Sequence, residues 1–411
     1  MTPPRDAAPA PGWELLPTSR GRDLLERIAA LRSEGRTIAD AARSLRATGE
    51  DPGLLAAALT QSELRDRAAS KFGPDADRML FTRAGLEQAT RAPVAELHAA
   101  RFRAAGCRSV ADLGCGLGAE SLALLSSGIA PRPVELDPLT AAFAEHNLAV
   151  RAERSGDPAP GVLVGDAEEL GPGSADGVFL DPARRTAGHS DTRRVVSPDD
   201  YSPSLGFAFR LAERLPAGVK LGPGLDRDLI PDTAEAQWIS VDGQVVETGL
   251  WFGAAARSGV SRAALVLRGS GQATELTAAA DAPDAEVAGL AEYLYEPDGA
   301  VIRARLIGAL AERLDAGMLS TGIAYLSSDH YVDTPFAQAF RIVEELPANE
   351  KQLRRALAAR GIGALEIKKR GADVDPAALR RRLKLKGPEH ATLFLTRDAS
   401  GGHIALLAER V

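Results

Sequence analysis

Val110-Ala111-Asp112-Leu113-Gly114-Cys115-Gly116-Leu117-Gly118 runs from a short apolar strand into three glycines at alternate positions, with an acid two residues ahead of the first. Brief apolar runs of this kind suit a strand covered on both faces, and glycine permits sharp left-handed turns that a side chain resists. Residues 119–125 follow with helical spacing. Strand, glycine turn and helix form the opening unit of a doubly wound parallel sheet, a fold that meets its ligand at the carboxyl ends of its strands.

Downstream of the turn, apolar runs at 133–136, 162–164, 177–180 and 219–221 alternate with helical patterns such as 139–151. That alternation predicts α/β architecture, with crossover helices on a parallel sheet. Residues 238–241, 245–252 and 263–267 match antiparallel edge strands, the first two joined by Asp242-Gly243. Residues 273–288 hold few large apolar side chains and read as a linker, and 301–314 reads as one amphipathic helix. A closing hairpin is expected from 392–396 and 403–407 around Ser400-Gly401-Gly402. Upstream, helical spacing recurs at 22–32, 38–45 and 54–64, with Asp51-Pro52 as a helix start, and a further helix is expected up to about residue 104. This N-terminal helical region reads as packing that shields the ligand cleft. The boundaries drawn from texture are 1–105 (helical region), 106–272 (the parallel sheet), 285–336 (a small segment) and 337–411 (a small α+β domain).

The length of 411 residues calls for more than one core. No apolar run is long enough for a transmembrane helix and the start of the chain is polar and proline-rich, so a cytoplasmic protein with no membrane association is expected. Cys107 and Cys115 are the only cysteines, which argues against a disulfide framework. The six histidines are scattered without paired spacing, and no metal is expected. The net charge of −7 excludes a uniformly basic nucleic-acid binder, yet residues 351–390 hold twelve Lys and Arg against four acids, +8 locally, leaving −15 elsewhere. Five of the seven lysines fall in that span. A segregated cationic end on an acidic protein is the footprint of polyanion binding; a solvated helix face is the plainer alternative. Lys368-Lys369-Arg370 and Arg380-Arg381-Arg382 are its dense runs and the candidate polyanion contacts. Aromatic residues are sparse there, so a folded duplex suits this end better than a single strand on stacking platforms.

Acids also stand at successive strand ends: Glu135, Asp166 and Asp181. S-adenosylmethionine (SAM) carries an adenosine, a ribose diol and a charged methionine tail. Gly114, Gly116 and Gly118 would let the backbone approach it, while Asp112 could reach the ammonium directly or through water. Glu135 could accept from both ribose hydroxyls and Asp166 could meet the adenine amino group. Gly114, Gly116 and Ala119 also satisfy a dinucleotide fingerprint, so NAD competes; the whole set, with Asp181-Pro182 at the fourth strand end, favours SAM. Strand-end acids also cap helices, and Asp137 before Pro138 suits that role. Asp181 and Pro182 are the candidate catalytic pair, aiming a carboxylate and carbonyls at the acceptor for in-line displacement, with the proton taken by Asp181 or lost to water. Arg184 and Arg185 fit either an acceptor phosphate or a salt bridge to a neighbouring acid. Residues 220–226, Lys220-Leu221-Gly222-Pro223-Gly224-Leu225-Asp226, offer a tight turn facing the same cleft.

The run from Val110 to Arg185 resembles the class I SAM-dependent methyltransferases, whose sheet is Rossmann-like. The wider chain is similar to a bacterial subgroup with a ferredoxin-like segment and a C-terminal THUMP-like domain after the methyltransferase domain. The stretch Tyr293-Leu294-Tyr295-Glu296-Pro297-Asp298-Gly299-Ala300-Val301-Ile302-Arg303-Ala304 and the basic region from Ala337 onward carry that second likeness. The resemblance implies a structured RNA substrate, tRNA or rRNA. Two departures narrow the chemistry it implies. Ala183 and Arg184 follow Asp181-Pro182 where many base methyltransferases place a stacking aromatic, and no cysteine follows Cys115 to serve as the nucleophile of covalent C5 methylation.

Overall fold

Caps set the first helices. Thr18, Thr37 and Asp51 each accept a backbone N–H from the first turn of α1 (Ser19–Ser33), α2 (Ile38–Arg46) and α3 (Pro52–Phe72). Pro52 starts α3, where its missing N–H has no intrahelical partner to lose. The computed structural model describes residues 11–156, 158–184, 201–269 and 272–411. Where one helix to residue 104 was expected there are two, α4 (Arg83–Gln88) and α5 (Ala92–Ala104). Pro93 cannot donate to a carbonyl four residues back, so the chain restarts there.

Contacts divide the chain into two units, residues up to 221 with 251–256, and 222–250 with 257–411. In the first, the helical region packs Leu24, Ile28, Leu54, Leu64 and Phe81 into one core that also takes in Leu117 and Phe143. Its sheet is built from β1 (Ser109–Leu113), β2 (Ala130–Glu135), β3 (Leu163–Val164) and β4 (Gly177–Leu180). A short pair, β5 (Ala183–Arg184) with β6 (Tyr201–Ser202), lies apart from that sheet, and β7 (Ala217–Leu221) rejoins it. The order is β7-β4-β1-β2-β3, all parallel, with crossovers through α6 (Ala119–Ser126), α7 (Pro138–Ser155), α8 (Ala167–Leu170) and α9 (Leu205–Ala212). The strand order reverses between β1 and β4, the switch point where such sheets bind ligands. Register levels the strand ends: Leu113 sits beside Val134 and Leu180, so Gly114, Glu135 and Asp181 stand level at the sheet's carboxyl end.

In the second unit β8 (Glu235–Val241) and β9 (Gln244–Phe252, to Leu250 in this unit) are neighbours joined at Asp242-Gly243, both with positive φ. β10 (Arg262–Arg268) runs parallel to β8, correcting the antiparallel expectation; the connection over residues 253–261 lets the chain re-enter in the same direction. The expected linker begins as β11 (Gln272–Ala278), antiparallel to β10, because Leu276 is buried and Glu275 bonds Arg257 Nη2 at 3.0 Å. Beyond β12 (Tyr293–Pro297), the expected single helix is split into α10 (Gly299–Arg303) and α11 (Ile307–Leu314) at Arg305, whose φ is 58°. The remaining elements are β13 (Gly317–Ser320), β14 (Ile323–Ser328), β15 (Ala337–Leu346), α12 (Glu350–Ala359), β16 (Ile362–Lys369), α13 (Pro376–Leu383), β17 (Glu389–Arg397) and β18 (His403–Arg410). They complete a seven-stranded sheet, β13-β14-β12-β15-β18-β17-β16, in which β17 and β18 form the expected hairpin. Leu353 and Leu357 of α12 and Leu379 and Leu383 of α13 share one core with Leu393 and Leu407, so both helices cover the same face. No described helix is long and apolar enough to cross a membrane.

Candidate active site

The glycine turn takes its shape from the backbone. Gly114, Gly116 and Gly118 have φ of 86°, 55° and 84°. A Cβ on Gly116 would meet nothing within 4 Å, so conformation rather than crowding requires glycine there. The N–H groups of Gly114 and Cys115 both donate to the Val134 carbonyl at 2.9 Å, locking the turn onto β2. From the opposite side Asn147, 1% exposed, accepts the Leu80 N–H at 2.7 Å and donates to the carbonyls of Leu80 and Leu117 at 3.1 Å. The N-terminal helical region is thereby tied to the turn itself.

Asp112, 1% exposed, accepts from the Ser121 N–H at 3.1 Å and its hydroxyl at 2.6 Å through Oδ2, while Oδ1 is buried without a hydrogen-bond partner. Burial pushes its carboxyl up to about 7, with the charges of Glu120 and Asp181 adding and the Ser121 hydrogen bonds opposing. Glu135 bridges the turn to the next loop, Oε2 accepting the Gly116 N–H at 2.9 Å and Oε1 the Asp137 N–H at 3.0 Å. Asp137 caps α7 through Thr140. Asp166 spends Oδ1 on the Glu168 N–H at 2.8 Å, capping α8.

Sequence reasoning missed three contributors. Leu136, between Glu135 and Asp137, is 62% exposed, and Leu163, Val164 and Leu170 are exposed along the β2–β3 edge. An apolar side chain left bare directly after Glu135 gives a flat ring something to lie against; period-two alternation would instead bury Leu136 on the face of Val134. Lys220, on β7, donates Nζ to Asp181 Oδ2 at 2.5 Å and to the Gln88 carbonyl at 3.4 Å. Lys71 and Lys220 are the two lysines outside 351–390, and a lysine inside the otherwise apolar strand 217–221 was the clue. Behind the turn, His98 Nδ1 lies 3.2 Å from both Glu120 oxygens. Burial pushes the Glu120 carboxyl up, but the charge and hydrogen bond of His98 outweigh it and hold it below the usual range.

The structure therefore brings Asp112, Gly114, Gly116, Gly118, Glu135, Asp181 and the buried Pro182 to one end of the first unit's sheet. The Asp181 carbonyl is 3.8 Å from where a Cβ on Gly114 would stand. Arg184 belongs to β5 through its backbone, opposite Tyr201, and Arg185 lies outside the described residues. Among the described residues no cluster of His, Cys, Asp and Glu could hold a metal ion.

In the second unit the two basic runs differ in what they touch. Lys368 donates to Glu296 at 2.6 Å, Arg370 lies 4.0 Å from the same acid and over the Tyr325 ring, and Arg382 pairs with Glu350 at 2.9 Å. Arg380 Nε donates to the Leu365 carbonyl at 2.9 Å. Lys369 and Arg381 are exposed and form no ion pair among the described residues.

Known proteins agree with this architecture. Relatives from two strains of Mycobacterium tuberculosis, each described as an uncharacterized S-adenosylmethionine-dependent methyltransferase, are 36% identical over 348 residues, covering 82% of this chain and 91% of theirs. A crystal structure assigned to a methyltransferase of Porphyromonas gingivalis W83 matches with TM-score 0.69 over 88% of this chain and 92% of that one; at 22% identity this shows a shared fold. A family model described as THUMP domain-like matches residues 337–410, and one described as a domain of unknown function (DUF8688) matches residues 11–68.

The fold is that of the class I methyltransferases, carrying a THUMP-like domain at its C-terminal end. The chain belongs to the S-adenosylmethionine-dependent methyltransferases, and its cofactor is SAM. The residues present fit that cofactor: a buried carboxylate oxygen awaits a donor at Asp112, open space lies over Gly116, and Leu136 is bare beside Glu135.

Proposed function

We propose that this enzyme methylates structured RNA, tRNA or rRNA, in the cytoplasm. The observation that carries the reading is the segregation of cations: +8 within residues 351–390 on a chain of net charge −7, inside the region that matches the THUMP-like model. Phosphate neutralisation by such a segment supplies affinity that falls steeply with salt and depends little on sequence. In this reading residues 1–105 brace the cofactor turn, 106–272 perform the transfer, 285–336 form a ferredoxin-like segment and 337–411 hold the RNA.

SAM supplies an electrophilic methyl on a sulfonium. Asp112 would face its ammonium, Gly114, Gly116 and Gly118 would admit the methionine tail, and Glu135 would accept from the ribose hydroxyls with the lone pairs its two N–H contacts leave. Leu136 would cover one face of the adenine and Asp166 would meet its amino group through Oδ2. Asp181 would orient the acceptor and take its proton, held in place by Lys220, while the buried Pro182 stiffens the loop that presents it. Arg184, Arg185 and the runs Lys368-Lys369-Arg370 and Arg380-Arg381-Arg382 are the proposed RNA contacts. Mass spectrometry of nucleosides from total tRNA and rRNA of a deletion strain and its parent tests this: one methylated nucleoside should disappear. An unchanged profile would turn the reading toward a small-molecule or protein acceptor.

A further inference from the structure

The cations of the C-terminal unit fall into two groups once their partners are known. Lys368, Arg370 and Arg382 face Glu296 and Glu350, Arg360 pairs with Glu344, and Arg380 is turned to a backbone carbonyl. Lys351, Arg354, Arg355, Lys369, Arg381, Lys384 and Lys386 are exposed and form no ion pair among the described residues. Helical geometry singles out those that face outward. α12 buries Leu353 and Leu357, so at 100° per residue Lys351 and Arg355 point away from the sheet; α13 buries Leu379 and Leu383, so Arg381 does the same, and Lys384 is the exposed left-handed residue that caps its end. The two helices cover one sheet face and are laced by Arg382–Glu350, which places Lys351, Arg355 and Arg381 on one outer layer, with Lys384 exposed at its end. Of the nearby acids, Glu350 is paired with Arg382, while Asp375 caps the N–H groups of Ala377 and Ala378 and attracts Arg381 at longer range without an ion pair.

We propose that this outer layer of α12 and α13 is the surface on which the enzyme holds the phosphate backbone of folded RNA. The proposal rests on the RNA reading above and says which face serves it. Four solvated cations that form no ion pair among the described residues, on a two-helix platform, suit the phosphates of a duplex. The helices carry no aromatic residue for base stacking and no large exposed apolar residue for insertion into a bilayer, so neither single-strand threading nor membrane anchoring is built in.

The test is binding of unfractionated tRNA to the full-length protein across a salt titration. The variant Lys351→Gln/Arg355→Gln/Arg381→Gln/Lys384→Gln should bind about tenfold or more weaker, with the log–log salt slope reduced by about three. The charge-keeping set Lys351→Arg/Arg355→Lys/Arg381→Lys/Lys384→Arg should retain both. Neutralising Arg36, Arg43, Arg46 and Arg67, exposed in the N-terminal helical region, changes net charge equally and should leave binding unaltered. SAM affinity, unchanged in every variant, reports that the protein is folded. Wild-type affinity and slope in the four-glutamine variant would overturn the face while leaving the RNA reading intact. A wild-type protein that binds neither tRNA nor rRNA fragments would overturn both, and preference for phosphatidylserine vesicles over tRNA would reassign the face to membranes.

Discussion

Lys220 Nζ reaches Asp181 Oδ2 at 2.5 Å from the adjacent parallel strand, with side-chain exposures of 12% and 36%. The pair places the candidate catalytic carboxylate at the switch point and fixes its direction. Asp181→Ala should leave SAM affinity within about twofold and slow transfer by roughly 100-fold or more, the usual share of a positioned acid–base group. Lys220→Met should cost about 10-fold in turnover through lost positioning, and Lys220→Arg should recover part of it. Calorimetry and single-turnover assays separate the two effects; undiminished turnover in Asp181→Ala would move the chemistry elsewhere.

Glu135 carries two N–H contacts and the proposed ribose diol. Glu135→Ala should weaken SAM by about 1–3 kcal/mol, and Glu135→Gln by less, since the amide oxygen still accepts the Gly116 N–H. Equal calorimetric affinities for all three proteins would remove Glu135 from the donor site.

Burial raises the Asp112 carboxyl to about 7 from an ordinary value of 3.8. Because the folded state holds this proton more tightly than the unfolded chain, Asp112 adds stability that is complete below pH 3.8 and is lost as pH rises through 7. Without SAM, its contribution should fall between pH 6 and 8, by on the order of 1 kcal/mol. Asp112→Asn should flatten that slope in thermal melts, and saturating SAM should flatten it too, since a facing ammonium favours the ionised form. Identical slopes in the wild type and Asp112→Asn would contradict the assignment.

Asn147 ties Leu80 to Leu117 of the glycine turn. Asn147→Ala strands a buried N–H, so it should destabilise the protein by about 1–3 kcal/mol in denaturant titrations and weaken SAM as the turn loosens. Unaltered SAM affinity in a destabilised variant would mean that the helical region shields the cleft without bracing the cofactor loop.

Local chemistry made much of this legible in the sequence. Alternating glycines demand positive φ, Asp51-Pro52 starts a helix by itself, and acids stand where the apolar runs of β2 and β4 end. What escaped depends on contacts between distant residues. Lys220 meets Asp181 only through strand pairing, Lys368 meets Glu296 across 72 positions, and the parallel entry of β10 beside β8 is set by chain routing rather than by composition. β11 looks like a linker in the sequence because its single deeply buried residue, Leu276, leaves too weak an alternation to see.

The most direct test of the central claim is methyl transfer itself. Purified protein, SAM labelled in its methyl group, and tRNA and rRNA from a deletion strain should yield label in one nucleoside, absent with Asp181→Ala. Label that enters no RNA, or enters equally with Asp181→Ala, would contradict the account.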